Sequence, residues 1–151
     1  MKVKDVMSKD IVSIKPDDNA REALELLMKM EISGLPVIDE NGKLVGMFTE
    51  KDILKNTLPS YLEKVGKFVY EENPKSTRRK LQHLDHMKVS QLMRKDVVTT
   101  TDDTTLCEVA RIMLMEKARR IPVVDKATKL VVGIIARGDV LKALAKEAEI
   151  G

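Results

Sequence analysis

The sequence predicts a mixed α/β (α+β) fold built from two βαββα repeats. Three observations predict it: residue blocks that occur twice in register, apolar spacing that switches between strand and helix periods within each copy, and a hairpin-turn signal in the first copy. The duplication comes first because it organises the rest. Lys2-Val3-Lys4-Asp5-Val6-Met7-Ser8-Lys9-Asp10-Ile11-Val12 returns 86 residues later as Lys88-Val89-Ser90-Gln91-Leu92-Met93-Arg94-Lys95-Asp96-Val97-Val98. The same offset carries Leu35-Pro36-Val37-Ile38-Asp39 onto Ile121-Pro122-Val123-Val124-Asp125. One inserted residue then brings Gly46-Met47-Phe48-Thr49-Glu50-Lys51-Asp52 onto Gly133-Ile134-Ile135-Ala136-Arg137-Gly138-Asp139. A period this long belongs to two domain-sized halves rather than a solenoid. The expected division is a first repeat over 1–57, an insert over 58–87 and a second repeat over 88–151.

Each element of the repeat has its own signal. A short helical turn is expected around Val6 and Met7. Residues 11–14 are β-branched-rich and end at Lys15-Pro16-Asp17-Asp18, which reads as a strand closed by a turn. Ala20, Ala23, Leu24, Leu27 and Met28 recur at helical spacing, and Leu106, Val109, Ala110, Met113 and Leu114 repeat that stripe. Residues 35–38 and 44–49 read as strands joined through Asn41-Gly42, a strong hairpin-turn pair. A second helix starts near Thr49 and includes Ile53 and Leu54.

Composition narrows the function classes. Hydrophobic residues at 43% and charged residues at 34% describe a folded globular chain, and no apolar run is long enough to span a membrane. The N-terminal Met1-Lys2-Val3-Lys4-Asp5 has no signal-peptide stretch, and the single Cys107 fits a reducing compartment, so a cytoplasmic location is expected. A net charge of +3 and 3% aromatics argue against a nucleic-acid platform. The insert holds an amphipathic run around Val65, Phe68 and Val69, a polar break at Asn73-Pro74, and a basic cluster of Lys75, Arg78, Arg79 and Lys80. That cluster reads as a solvated helix face, with a phosphate or nucleic-acid contact as its alternative.

The repeated Leu-Pro-Val-Ile-Asp and Gly-Met-Phe-Thr-Glu-Lys-Asp blocks, following Asp-Val-Met-Ser-Lys-Asp, resemble those of a tandem cystathionine-beta-synthase (CBS) domain pair of the stand-alone archaeal and bacterial type. The resemblance covers nearly the whole chain outside the insert. It implies two lobes related by a pseudo-twofold axis, a homodimer packed through helices, and regulation of a partner protein. It also implies binding of AMP, ADP, ATP, S-adenosylmethionine or a related adenosyl compound as a ligand, with no cofactor.

Residue by residue, the resemblance makes Asp52 of Thr49-Glu50-Lys51-Asp52 a ribose acceptor, because a carboxylate offers two oxygens to a cis-diol. The same motif fits a helix capping box. In the second copy Ala136 replaces the Thr and Asp139 remains. The positions before each Pro should meet phosphate; here they are Ser33-Gly34 and Arg119-Arg120. Crossing the repeats groups Thr49 and Asp52 with Arg119 and Arg120, and Asp139 with Ser33 and Gly34. For the base, Met47, Met93, Val98 and Ala118 are expected at the first site, and Met7, Val12, Ile32 and Ile134 at the second. Ordinary core packing predicts the same residue types.

Enzyme chemistry has little sequence support. His83 and His86 make no recognised metal signature, Cys107 has no neighbouring His, and no glycine-rich phosphate loop occurs. The leading expectation is a non-catalytic sensor of an adenine nucleotide or adenosyl metabolite. A ligand-free oligomerisation module is the alternative, followed by nucleic-acid binding through the basic insert.

Overall fold

The computed structural model describes residues 1–57 and 74–149. A 3-10 turn at Val3–Asp5 leads into α1 (Ala20–Met30), β1 (Gly34–Ile38), β2 (Leu44–Thr49) and α2 (Glu50–Thr57). After α3 (Pro74–His83) and a 3-10 turn at Leu84–His86 come α4 (Val89–Leu92), β3 (Thr100–Thr101), α5 (Leu106–Met115), β4 (Arg120–Val124), β5 (Val131–Ala136) and α6 (Arg137–Glu147). β1 and β2 form a two-stranded sheet; β3, β4 and β5 form a three-stranded one, parallel between β3 and β4 and antiparallel between β4 and β5.

The chain divides into two compact units, and their boundaries cut across the sequence repeats. The first unit comprises Met1–Val12, Glu40–Leu44 and Asp96–Gly151; the second comprises Ser13–Asp39 and Val45–Lys95. Each unit therefore takes in the leading segment of the other repeat. In the first unit the Val3 and Lys4 amides donate to the Thr104 and Asp102 carbonyls at 2.8 and 2.9 Å, and Leu106 N–H donates to Met1 O at 3.2 Å. In the second unit the Val89 and Ser90 amides donate to Asp18 and Pro16 carbonyls at 2.9 Å, and Ala20 N–H donates to Met87 O, also at 2.9 Å. These are the same three bonds at the same repeat positions. Val3 and Val89 are both 0% exposed, and burying a valine contributes on the order of 1.5–3 kcal/mol.

The helices are capped in parallel ways. Asn19 accepts the Glu22 N–H at 3.1 Å and Thr105 accepts the Glu108 N–H at 3.2 Å, each satisfying an otherwise orphaned donor at a helix start. Both helices end on a non-glycine residue with left-handed backbone, Glu31 at φ 55° and Lys117 at φ 54°. That conformation costs about 1 kcal/mol in an L-residue. It lets Ile32 and Ala118 N–H groups close the helices onto the Leu27 and Met113 carbonyls. The Asn41-Gly42 turn joins β1 to β2 as expected, with Gly42 at φ +82°, a region glycine occupies without a Cβ penalty.

Each unit has its own core. Ile14, Ala20, Ala23, Leu27, Leu35, Val37, Phe48, Ile53, Leu84, Val89 and Leu92 fill that of the second unit. Val3, Leu106, Val109, Met113, Ile121, Val123, Ile135 and Val140 fill that of the first.

Two local expectations need correction. Residues 11–14 do not form a strand: Ile14 alone makes a parallel bridge to Val37, whereas its counterpart in the second repeat extends to the two-residue β3. Pro16 has no N–H with which to prolong the ladder. The helical stripes are also narrower than their apolar residues suggest. Met28 and Leu114 are 68% and 73% exposed, and Leu54 is exposed as well. Among the described residues no helix is long and apolar enough to cross a membrane.

Candidate functional site

In the second unit, β2 ends at Thr49 and α2 begins at once, so the Thr49 side chain stands at a strand-to-helix corner. Its hydroxyl accepts the Asp52 N–H at 3.3 Å and donates to Asp52 Oδ2 at 2.5 Å. The helix-capping role is thus present, and it also holds the carboxylate in place. Asp52 is only 9% exposed. Among the described residues no donor bonds its Oδ1, which leaves an oxygen for a ligand hydroxyl. The Glu50 N–H donates to Ser33 O at 2.9 Å, drawing the start of β1 against the start of α2. A Cβ on Gly34 would lie 2.8 Å from Thr49 Cγ2 and 3.2 Å from Phe48 O, so glycine makes room here for the Thr49 methyl, which Ala136 lacks in the other unit. Ser33, Gly34, Thr49 and Asp52 therefore meet at one corner of this unit.

The first unit repeats the corner with different side chains. The Arg137 N–H donates to Arg119 O at 2.8 Å, the counterpart of the Glu50–Ser33 bond, and Arg120 pairs with Ala136 across β4 and β5. The Arg137 guanidinium donates through Nη2 to Ala118 O at 3.4 Å. Ala136 offers no capping hydroxyl; instead Asp139 Oδ2 accepts the Ala136 N–H at 3.3 Å. Arg119 is exposed and Arg120 half-buried. Among the described residues none of Arg119, Arg120 and Arg137 forms an ion pair. Arg119, Arg120, Ala118 and Asp139 are thus brought to one corner, together with Arg137, which the sequence reading did not assign to a site.

The apolar candidates fall into two equivalent pairs. Met47 and Arg94 exchange backbone hydrogen bonds at 2.9 and 2.8 Å, setting Met93 against the same strand in the second unit. Ser8 and Ile134 do the same at 2.8 and 2.9 Å, setting Met7 against β5 in the first. Glycines permit both contacts. A Cβ on Gly46 would sit 2.7 Å from Met93 Sδ, and one on Gly133 would sit 2.6 Å from Met7 Sδ. The recurrence of these two glycines in register was the sequence signal for them. Met47 and Ile134 are buried, and Met7 and Met93 are half-buried. Ile32, Val98 and Ala118 pack on the cores of their own units, as the packing reading predicts, while Val12 is 40% exposed.

Elsewhere, Arg78, Arg79 and Lys80 are exposed on α3. The Lys75 side chain, the Val65, Phe68 and Val69 run and Asn73 lie outside the described residues. His83 and His86 have ring centroids 5.7 Å apart. No group of three or more His, Cys, Asp or Glu suited to a metal ion occurs among the described residues.

Comparison with known families decides the identity of this duplicated scaffold. The CBS domain model matches twice, over residues 3–58 and 89–146. The chain belongs to the CBS-domain family. It is a tandem CBS pair, similar over 95% of its length to the protein MJ1426 of Methanocaldococcus jannaschii, with 33% identity and 91% of that relative covered. Some curated relatives are longer; the chain spans 23% of an inosine-5'-monophosphate dehydrogenase from the same organism. Among solved CBS structures, CBSX2 in complex with AMP matches with a TM-score of 0.71 at 32% identity, covering 97% of this chain and 98% of that one. The CBS pair of MJ0100, in complex with 5'-methylthioadenosine and S-adenosyl-L-methionine, matches with a TM-score of 0.67 at 26% identity, covering 97% and 98%.

Proposed function

We propose that this CBS pair is a non-catalytic regulatory module that binds an adenosyl ligand, with Asp52 as the principal ribose acceptor. The observation that carries the reading is the Thr49–Asp52 corner: a buried carboxylate held by a 2.5 Å bond from the neighbouring hydroxyl, with one oxygen left for a diol. The AMP complex of CBSX2 and the adenosyl complexes of MJ0100 support the ligand class. Arg119 and Arg120 serve the phosphate end of the same ligand in this proposal, following the crossed grouping of the sequence. Met47 and Met93 offer an apolar surface to the base. Asp139, Ser33 and Gly34, with Met7 and Ile134, form the second and less equipped set. Ligand binding would shift the conformer population read by a regulated partner. The test is isothermal titration with AMP, ATP and S-adenosylmethionine. At least one binds the wild type, Asp52→Ala weakens it about tenfold or more, and the exposed neighbour Lys51→Ala leaves it unchanged. No binding of any of the three overturns the reading.

A homodimer completes the proposal. Leu114 and Leu141 are 73% and 68% exposed on α5 and α6 of the first unit. They border a groove of about 220 Å³ with Ala110, Met113, Val140 and Leu144, and Arg137 also lines it. Exposed apolar surface of this kind marks an association face, and light scattering of Leu141→Lys should report a monomer if a second copy covers it.

A further inference from the structure

Asn41-Gly42 shapes the β1–β2 turn, and the same dipeptide carries covalent chemistry. The Cγ of an asparagine can be attacked by the main-chain nitrogen of the next residue, closing a five-membered succinimide. The following residue decides whether this happens, because its side chain crowds the attack and its nitrogen must be available to make it. The chain has four asparagines, and the following residue opposes closure at three of them. Asn19 precedes Ala20, whose N–H is committed to Met87 O at 2.9 Å. Asn56 lies in α2 ahead of Thr57, a β-branched residue that crowds its own nitrogen. Asn73 precedes Pro74, which has no N–H. Asn41 alone precedes a glycine, and it is exposed at the tip of the hairpin. Gly42 brings no Cβ to the attack and already occupies φ +82°, a region open to glycine at little cost.

We infer that Asn41 is a site of spontaneous modification, and that its conversion to isoaspartate loosens the hairpin tip from β5. The Gly42 nitrogen bonds to Asn41 Cγ as its proton passes to solvent base. The Cγ–Nδ2 bond breaks, and Nδ2 takes up a proton and leaves as ammonia. Water then adds to one of the two succinimide carbonyls. Breaking the bond from Cγ to the Gly42 nitrogen gives aspartate. Breaking the bond from the main-chain carbonyl carbon gives isoaspartate, in which the chain runs through Cβ and Cγ and is one carbon longer. The surroundings make that extra carbon matter. Residues 40–44 belong to the first unit, where Gly42 O accepts the Val131 N–H at 3.2 Å and Lys43 forms an antiparallel bridge with Leu130. A Cβ on Gly42 would lie 3.4 Å from Leu130 Cδ2, so the tip packs against that side chain as well. Lengthening the chain just before these contacts moves Gly42 O off its donor. The second hairpin has an equivalent tip without the chemistry, since Lys129 holds the left-handed position there at φ 63° and follows a threonine. The inference stands apart from the adenosyl reading.

Incubation of the folded chain for weeks at mildly alkaline pH, followed by peptide mapping with a fragmentation method that separates isoaspartate from aspartate, tests it. The expected result is acid in place of the Asn41 amide, with isoaspartate the larger share, while Asn19 and Asn56 remain amides. Asn41→Gln, whose ring would be six-membered and closes far more slowly, should show no acid there over the same time. The isoaspartate form, isolated by ion exchange, should unfold at a lower urea midpoint than the unmodified chain. Asn41→Asp, which adds the charge without the extra carbon, should keep a midpoint close to that of wild type. Survival of the Asn41 amide in the folded chain overturns the inference, and so does earlier conversion of Asn19 or Asn56. An isoaspartate form with an unchanged urea midpoint overturns the loosening.

Discussion

The corner around Thr49 and Asp52 and the corner around Ala136 and Asp139 share their backbone bonds, yet hardly a side chain besides the aspartate. One has a capping hydroxyl, a serine, a glycine and a glutamate. The other has an alanine and three arginines. Backbone amides and carbonyls impose the geometry of each copy, and these do not depend on which side chain follows. After duplication the scaffold is held fixed by Val3 and Val89, Asn19 and Thr105, Gly46 and Gly133, while the corner residues are free to diverge. What is alike in the two units is therefore structural, and what is unlike is the set of side chains at the corners.

The sharpest way to break the comparison is at the glycines. Gly46→Val and Gly133→Val should each cost about 2–4 kcal/mol in urea unfolding. Each added Cβ would lie 2.9 Å from a backbone carbonyl, that of Arg94 in one unit and Ser8 in the other, as well as against a methionine sulfur. A large cost at one glycine and none at the other would show that the leading segments are not equivalent.

A smaller effect separates the corners. Thr49→Ala removes the hydroxyl that caps α2 and should cost about 1 kcal/mol. Ala136→Thr, which restores the residue of the first copy, should stabilise by no more than that amount. The same urea transitions report both. Thr49→Ala without cost would mean that the hydroxyl serves no cap.

The smallest expected effect concerns pH. Thr128 N–H, the Thr128 hydroxyl and Ala127 N–H all donate to the Asp125 carboxylate, holding its pKa below the ordinary value. A depressed folded-state pKa gives stability that is present above the unfolded pKa and is lost as pH falls through the folded one. The stability difference between wild type and Asp125→Ala should be present near neutrality and shrink as pH falls below about 4, the ordinary aspartate pKa.

Much of this was legible in the residues. The repeated blocks announced the duplication, Asn41-Gly42 announced a hairpin, and Thr49-Glu50-Lys51-Asp52 announced a capped helix with a carboxylate at its start. The exchange of leading segments was not legible, because it is made by backbone groups of Val3, Lys4, Val89 and Ser90 that leave no mark in side-chain type. Nor were the helix ends, where Glu31 and Lys117 adopt the left-handed conformation that a sequence reader assigns to glycine. Met28 and Leu114 were read correctly as members of an apolar stripe and wrongly as covered, since helical spacing gives a direction and not a neighbour. At the corners, the equivalence of Glu50 and Arg137 was legible in the aligned blocks, but not that each donates its N–H to the carbonyl of the residue three before a Pro, Ser33 in one unit and Arg119 in the other.

The central claim is that two like-built corners bind unequally, and native mass spectrometry of the chain titrated with AMP tests it most directly. The account predicts one AMP per chain for wild type, loss of that AMP in Asp52→Ala and its retention in Asp139→Ala. Two AMP molecules bound with equal affinity, or loss in Asp139→Ala with retention in Asp52→Ala, would contradict it.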